Sequence, residues 1–121
     1  MAQTNPITLN EANDEEVICF VTTNRNTDGT VANPPIPLNL TGVSLEAYLK
    51  IGPKTLDSDG STWKGTSTAG DIVVMDAVAG KVAVNIPGTA ISTSMAWWRL
   101  DTISSGKRKT AMGGTVTVND W

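Results

Sequence analysis

The residues of this sequence that could do chemistry are mainly its carboxylates, because the 121 residues include no histidine and one cysteine, Cys19. Without an imidazole there is no Ser-His or Cys-His nucleophile pair and no ordinary proton shuttle near neutral pH. A lone thiol forms neither an internal disulfide nor a thiolate zinc cage. Residues 17–21 around Cys19 are all apolar, so we interpret Cys19 as a small core hydrophobe.

The acidic residues show no spacing that favours catalysis or metal binding. Asp57-Ser58-Asp59-Gly60 is superficially like the start of a calcium loop, but its glycine comes too early and no glutamate follows at the required distance. A glycosidase needs two carboxylates across a cleft. Asp71, Asp76 and Asp101 could in principle meet, but nothing in their spacing favours that over a role in solubility. We therefore predict no catalytic residue, metal or cofactor.

Four tryptophans, against one phenylalanine and one tyrosine, are the other unusual feature of the sequence. Trp97 and Trp98 are adjacent in a predicted strand, in which neighbouring side chains point to opposite faces. We assign Trp98 to the core face. Trp97 then lies on the outer face, beside Met95, Arg99 and Asp101.

An outward tryptophan has three interpretations. The ring can be covered by a neighbouring loop or by the aliphatic part of Arg99. It can instead anchor a protein interface, where Trp and Arg often dominate the binding energy, or it can stack on a sugar. A tryptophan at the end of the chain usually needs something to bury it, which adds weight to the interface interpretation. The candidate partner-binding residues are Trp97, Arg99, Trp63 and Trp121.

The clearest structural signal is residues 43–51, where every odd position is apolar and every even position is Ser, Glu, Tyr or Lys. This period of two predicts a strand with one dry and one wet face. Other alternating or β-branched runs predict further strands at residues 7–9, 17–23, 63–66, 72–75, 81–86 and 95–103, and at 109–112, continued beyond Gly113-Gly114 by 115–118.

The connections between these strands carry turn residues. Residues 24–37 contain three prolines and are predicted to form an extended loop. Residues 89–94 are long enough for one helical or 3₁₀ turn, and Gly113-Gly114 is expected to form a bulge or bend. Lys107-Arg108-Lys109 follows a predicted hairpin tip at Ser104-Ser105-Gly106, so we interpret it as a solvated turn and not as a nucleic-acid patch.

Seven or eight short strands without a convincing helix favour an all-β fold, an immunoglobulin-like β-sandwich of antiparallel strands. A chain of this length predicts one domain, residues 1–121. The net charge of −3 argues against binding to nucleic acid. No run reaches about 20 apolar residues, and the N-terminus lacks the features of a signal peptide. We therefore expect no membrane partner and synthesis in a cytosol.

The order of these features resembles the N-terminal domain of phage baseplate upper proteins and related small tailed-phage virion proteins. The resemblance rests on Leu40-Thr41-Gly42-Val43, which leads into the alternating strand. It also rests on the strand at residues 72–75, which leads through a short turn to Gly80-Lys81-Val82, where a second strand begins that ends at Pro87. It continues through the aromatic strand and hairpin to residues 114–118, so that it covers about residues 7–118. The family's usual Gly-x-Tyr is Ala96-Trp97-Trp98 in this chain.

The resemblance implies a non-enzymatic, immunoglobulin-like assembly part of a virion, made in the host cytoplasm. Its partners would be other virion proteins, in multiple copies or as a homo-oligomer. We expect a tail-tip or baseplate accessory subunit that binds its neighbours through an exposed strand edge and outer tryptophans. The alternatives are a capsid decoration protein and a carbohydrate-binding module that contacts host-surface glycan through Trp97 or Trp63.

Overall fold

The structure is a computed structural model that describes residues 3–26 and 28–119. It is 56% strand and 3% helix, which confirms the all-β, sandwich-like prediction. A single 3₁₀ turn in the described residues spans Gly88–Ala90. The strands are β1 (Gln3–Thr4), β2 (Ile7–Asn10), β3 (Glu15–Phe20), β4 (Thr22–Arg25), β5 (Val31–Pro37), β6 (Ser44–Lys50), β7 (Trp63–Thr66), β8 (Ile72–Asp76), β9 (Lys81–Ile86), β10 (Trp97–Ser104) and β11 (Lys107–Asn119).

The larger sheet has the strand order β1-β11-β10-β6-β7, and β2 also pairs with β11. β1 and β2 run parallel to β11, whereas the other pairs of this sheet are antiparallel. β10 and β11 form the predicted hairpin, closed by Ser105 and Gly106, which both have positive φ as a type I′ turn requires. The described residues thus contain eleven strands, two of them parallel to a neighbour, where seven or eight antiparallel strands were predicted.

The second layer is a three-stranded antiparallel sheet, β3-β9-β8, and β4 and β5 form a separate two-stranded ribbon. The prediction of a loop over residues 24–37 is wrong in part, because its first two residues belong to β4 and residues 31–37 form β5. Proline lacks the N–H that a central strand needs, but it is compatible with an edge strand. β5 pairs with β4 alone among the described strands. No second neighbouring strand therefore needs the N–H groups that its three prolines lack.

The hydrophobic core lies between the larger sheet and the three-stranded sheet. Alternate residues of β6, β10 and β11 pack against the inward residues of β3, β8 and β9. Side-chain alternation along each strand therefore decides which residues enter the core. The buried members of this cluster that lie in strands include Leu45, Leu49, Trp98, Leu100, Met112, Cys19, Ile72, Val82, Val84 and Ile86.

Strand β6 shows the predicted alternation of polarity but not the predicted alternation of exposure. Leu45, Ala47 and Leu49 are buried in the core as expected, yet Tyr48 and Lys50 on the other face are each only 3% exposed. The Lys50 Nζ donates to the Thr55 carbonyl at 2.7 Å and also bonds the Asp57 carboxylate. The expectation of a wet face is wrong at these two residues, because the loop between β6 and β7 supplies partners for Lys50 and the guanidinium of Arg99 in β10 lies over the Tyr48 ring.

The glycine pair in β11 serves close packing and not a bulge. The described register irregularity in the β10–β11 pair lies between Leu100 and Asp101 instead. A Cβ on Gly113 would lie 2.6 Å from the Trp98 carbonyl oxygen, and one on Gly114 would lie 2.8 Å from the Asn5 carbonyl oxygen. Real Cβ atoms do not approach oxygen so closely, so Gly114 lets the segment between β1 and β2 lie against β11, and Gly113 lets β11 lie close to the backbone of Trp98 in β10.

Candidate interaction surfaces

Trp97 and Arg99 lie together on the outer face of the larger sheet, as the sequence predicted. Trp97 is opposite Lys50 of β6, and Arg99 is opposite Tyr48. Trp97 is half-buried. Trp98 is buried on the opposite face, where its Nε1 donates to the Asn5 carbonyl at 2.6 Å.

Met95, which was assigned to the outer face, belongs to the buried core instead. It precedes the first residue of β10, in a turn where its N–H donates to the Ser92 carbonyl at 3.0 Å. The strict alternation of a strand therefore does not extend back to this residue.

Trp63 faces the other way. It pairs with Leu49 across β7 and β6, so the two side chains share the core face. Its ring packs against the core and fills the space above Gly65, where a Cβ would lie 2.5 Å from the Trp63 Cη2. Trp63 and Trp97 therefore do not form one surface. Trp121 lies outside the described residues.

The outer face of the larger sheet carries an ion-pair network centred on Asp101, a carboxylate that is 1% exposed. Asp101 accepts from the Arg99 Nε and the Arg108 Nη1, each at 2.9 Å, and from the Thr110 hydroxyl at 3.1 Å. Arg108 also contacts Glu46 at 2.8 Å. The prediction of a solvated turn at residues 107–109 is wrong in part, because these exposed residues begin strand β11 and Arg108 belongs to the network.

Asp57 and Tyr48 extend this network, and their surroundings shift the pKa of each. The hydrogen bond from Arg99, at 2.7 Å, and that from Lys50 lower the pKa of Asp57 to about 2, despite some opposing desolvation. Burial, followed by the hydrogen bond to Glu46, raises the pKa of Tyr48. No buried side-chain nitrogen or oxygen of the described residues lacks a partner. The network therefore holds the outer face of the larger sheet together.

An exposed apolar strip covers the outer face of the three-stranded sheet. Ile18, Phe20, Val73 and Met75 are 40, 54, 47 and 51% exposed. Ala83 lies between Ile18 and Val73 in the register of the three strands and is buried. We call these five residues the apolar strip. Half-exposed side chains of this size present a patch on the order of 300 Å², which in a soluble protein often marks an interaction site.

The apolar strip has a signal in the sequence, but this signal is a continuous apolar run and not an alternating pattern. Residues 17–21 are apolar at every position, so a strand there has apolar side chains on both faces. Such strands are typical of sheets covered on both sides. In the structure Val17 and Cys19 pack on the core, whereas Ile18 and Phe20 are exposed.

The described residues also line several clefts. One, of about 390 Å³, lies between β4 and the β10–β11 hairpin and is lined by Thr23, Asn24, Thr102 and Lys109 among others. Another, of about 360 Å³, has the acidic residues Asp14, Glu16 and Asp71 in its lining. The described residues contain no group of three or more His, Cys, Asp or Glu side chains placed to hold a metal ion.

Comparison with known proteins adds no family assignment. No protein-family model and no curated protein matches this chain. Within the described part of the chain, no helix is long and apolar enough to cross a membrane.

Proposed function

We propose that this protein is a non-enzymatic structural subunit of a bacteriophage virion, a tail-tip or baseplate accessory component that binds neighbouring virion proteins. The observation that carries the proposal is the apolar strip, since an ordered sheet with half-exposed Phe20 and Met75 gains free energy when another protein covers it. The resemblance of residues 7–118 to small tailed-phage virion proteins supports the virion assignment.

The ion-pair network supports the non-enzymatic part of the proposal. Its three carboxylates, Glu46, Asp57 and Asp101, are each paired with an arginine. A general base needs a pKa near the working pH, but the pKa values of Glu46 and Asp57 are lowered, chiefly by hydrogen bonds from Tyr48 and Arg99, respectively. Among the tryptophans, Trp63 packs on the core and Trp97 is half-buried, which lends little support to glycan stacking.

Mass spectrometry of purified virions tests the assignment. We expect the protein in the tail fraction at a few to a few dozen copies per particle, whereas hundreds of copies in the head fraction would identify a capsid decoration protein. Absence from both fractions would overturn the virion proposal.

Variants of the apolar strip test the docking surface in the particle. We expect Phe20→Ser to lower the occupancy of the subunit in particles at least tenfold, because it removes a large apolar contact from an interface. Leu56→Ser is the matched control, since Leu56 is also largely exposed but lies in the loop between β6 and β7. Full occupancy of the Phe20→Ser variant would show that the strip is not the docking surface. In the same assay, full occupancy of Trp97→Ala would exclude Trp97 as an anchor.

A further inference from the structure

Strand β3 has the composition of a central strand but lies at the edge of its sheet. Residues 17–21 are apolar at every position, which is typical of strands that are buried on both faces. Among the described strands, β3 pairs with β9 alone. This pairing runs over all six residues of β3 without a register shift. A regular, apolar edge of this kind is a template on which a further strand can pair.

The register shows which backbone groups of β3 are left over. Val21, the residue after β3, donates its N–H to the carbonyl of Gly80 at 2.8 Å, and these two residues are opposite each other when the β3–β9 register is continued by one residue. Because the residues of an antiparallel strand face its neighbour alternately, every odd residue of β3 bonds β9, and every even residue points its N–H and C=O away from β9. The outward residues are Glu16, Ile18 and Phe20. No backbone hydrogen bond between described residues reaches their outward groups.

The other uncovered edges of the described sheets carry features that oppose pairing. β1, β2 and β7 are only two to four residues long. β4 and β8 have register shifts in their pairs, and β5 contains three prolines. The part of β11 that precedes its pairing with β1 begins with three basic residues, 107–109. Short strands, irregular pairing, proline and basic side chains are the usual protections of a sheet edge, and β3 has none of them. Its one exposed charged residue is Glu16.

We propose that β3 pairs antiparallel with β3 of a second copy of this chain, about a two-fold axis at Ile18, so that one six-stranded sheet spans a homodimer. An antiparallel pair is itself two-fold symmetric, because its hydrogen-bonded residues exchange both N–H···O bonds. The three outward residues are spaced evenly about Ile18, so all three find partners in this arrangement. The inference rests on the proposed assembly role, for which it names one interface, and it does not depend on presence in a virion.

The side chains fit this arrangement on both faces of β3. On the outer face the two copies of Ile18 meet at the axis, and on the core side Val17 lies beside Cys19 of the second copy at two symmetric positions. These residues are all apolar, and such cross-strand neighbours stabilise an antiparallel pair. Glu16 lies beside Phe20 of the second copy at the margin of the interface, and both side chains are exposed there in the single chain. The strand itself thus offers the apolar residues that its own edge lacks as neighbours, which favours a second copy as the occupant.

Amide hydrogen exchange of the unmodified protein tests the proposal directly. Two six-residue strands form an interface smaller than the standard one, so we expect a dissociation constant on the order of micromolar. Samples from the micromolar to the millimolar range therefore span the equilibrium. The N–H groups of Ile18 and Phe20 are expected to exchange at least about tenfold more slowly in the concentrated sample, because dimerisation places them in hydrogen bonds.

The N–H of Val74 is the matched control within the same sheet. Asn85 donates to the Asp71 carbonyl at 2.8 Å, so alternation along β8 points the Val74 N–H away from β9, at the edge opposite β3. Its exchange is expected to be independent of protein concentration. A dimer that protected Val74 and not Ile18 would place the interface at the β8 edge and overturn the proposal.

A pair of charged variants distinguishes the β3 edge from the outer face of the sheet. Ile18 and Val73 lie in the same row, on the two edge strands, and are 40 and 47% exposed. In sedimentation equilibrium we expect Ile18→Lys to weaken the dimer at least about tenfold, because it places two like charges beside each other at the axis. Val73→Lys adds the same charge at the far edge and is expected to dimerise like the original protein. Equal weakening by both variants would show that the outer face, and not the edge, is the interface.

The remaining outcomes are also decisive. A protein that stays monomeric up to the millimolar range overturns the proposal, and so does a dimer in which Ile18 and Phe20 gain no protection. If Ile18→Lys failed to fold, the exchange experiment on the unmodified protein would still decide the matter. Because both assays use purified protein, a negative result leaves the virion assignment standing, and absence of the protein from virions leaves a measured dimer standing.

Discussion

The guanidinium of Arg99 lies over the ring of Tyr48, with its central carbon 4.5 Å from the ring centroid. The two residues are opposite each other in strands β10 and β6. Arg99 also bonds Asp57 in the loop between β6 and β7 and Asp101 in its own strand. One side chain thus joins a sheet, a loop and an aromatic ring, which explains why the polar face of β6 is closed to solvent.

Removal of the Arg99 side chain is expected to destabilise the protein by about 2 kcal/mol. Arg99→Ala loses the contact with Tyr48 and one of the two arginine partners of Asp101, a carboxylate that is almost fully buried. Breaking a buried pair entirely costs about 3–5 kcal/mol, but Arg108 and Thr110 still bond Asp101 and reduce that cost. Urea denaturation measures the difference. Arg99→Lys keeps the charge without the planar stacking surface, so its free energy of unfolding is expected to lie between those of Arg99→Ala and the original protein. An alanine variant as stable as the original protein would contradict the role assigned to Arg99.

Acid is expected to weaken the attachment of the loop between β6 and β7. The pKa of Asp57 is about 2 in the folded protein, against 3.8 for a free aspartate side chain, with the hydrogen bond from Arg99 as the largest cause. A lowered pKa means that the folded state binds fewer protons than the unfolded state between these values. The stabilisation is therefore fully present above about pH 4 and is lost as the pH falls towards 2. The Asp57 side chain is 45% exposed, so after discounting for solvent screening we expect about 1 kcal/mol from this residue.

The measurement is the free energy of unfolding in urea at a series of pH values from 5 to 2. Asp57→Asn is expected to be less stable than the original protein at pH 5 and to approach it at pH 2, since the amide cannot be protonated in this range. Curves that run parallel across the range would show that Asp57 does not contribute in the folded protein.

The single thiol is expected to be unreactive in the folded protein. Cys19 is buried in the core, and desolvation raises its pKa to about 11. The thiolate is the reactive species, so its fraction at pH 8 is on the order of a thousandth, and the core excludes the reagent as well. We expect an aromatic disulfide reagent to label Cys19 at pH 8 only at the rate at which the protein opens. Addition of 6 M guanidinium is expected to make labelling complete within seconds to minutes, whereas equally fast labelling in native buffer would contradict the placement of Cys19 in the core.

The sequence predicted best what depends on local alternation. Strands β6 and β9 and the β10–β11 hairpin follow from the period of their apolar residues and from Gly106, because those patterns determine which side chains share a face. The same alternation placed Trp97 and Arg99 on one face correctly. These predictions needed no knowledge of distant contacts.

What the sequence did not predict depends on contacts between residues far apart in the chain. The parallel pairing of β1 and β2 with β11 joins the two ends of the described chain, and the burial of Lys50 requires Asp57 to lie above it. No local period encodes either contact. The apolar strip was missed for a different reason, since residues 17–21 have the same apolarity on both faces and only the fold shows which of the two is uncovered.

Gly80 gives the sharpest test of the packing between the three-stranded sheet and the β4–β5 ribbon. Its φ is +69°, and an added Cβ would lie 2.3 Å from the Val21 carbonyl oxygen and 3.0 Å from that of Leu38. Its own carbonyl accepts from the Val21 N–H at 2.8 Å, so the backbone cannot move away without breaking that bond. We expect Gly80→Ala to lower the free energy of unfolding by about 3 kcal/mol, the sum of left-handed strain and the displacement of backbone atoms.

Two other glycines separate these contributions. Gly70 also has a positive φ, +87°, but no atom within 4 Å of the added Cβ, so Gly70→Ala reports the strain alone and is expected to cost about 1 kcal/mol. Gly60 has neither a positive φ nor a neighbour within that distance, so Gly60→Ala is expected to change stability by less than about 0.5 kcal/mol or to raise it slightly. Urea denaturation of the three variants gives the order directly. If Gly80→Ala were no more destabilising than Gly70→Ala, Val21, between β3 and β4, and Leu38, after β5, would not approach the β8–β9 turn as closely as described.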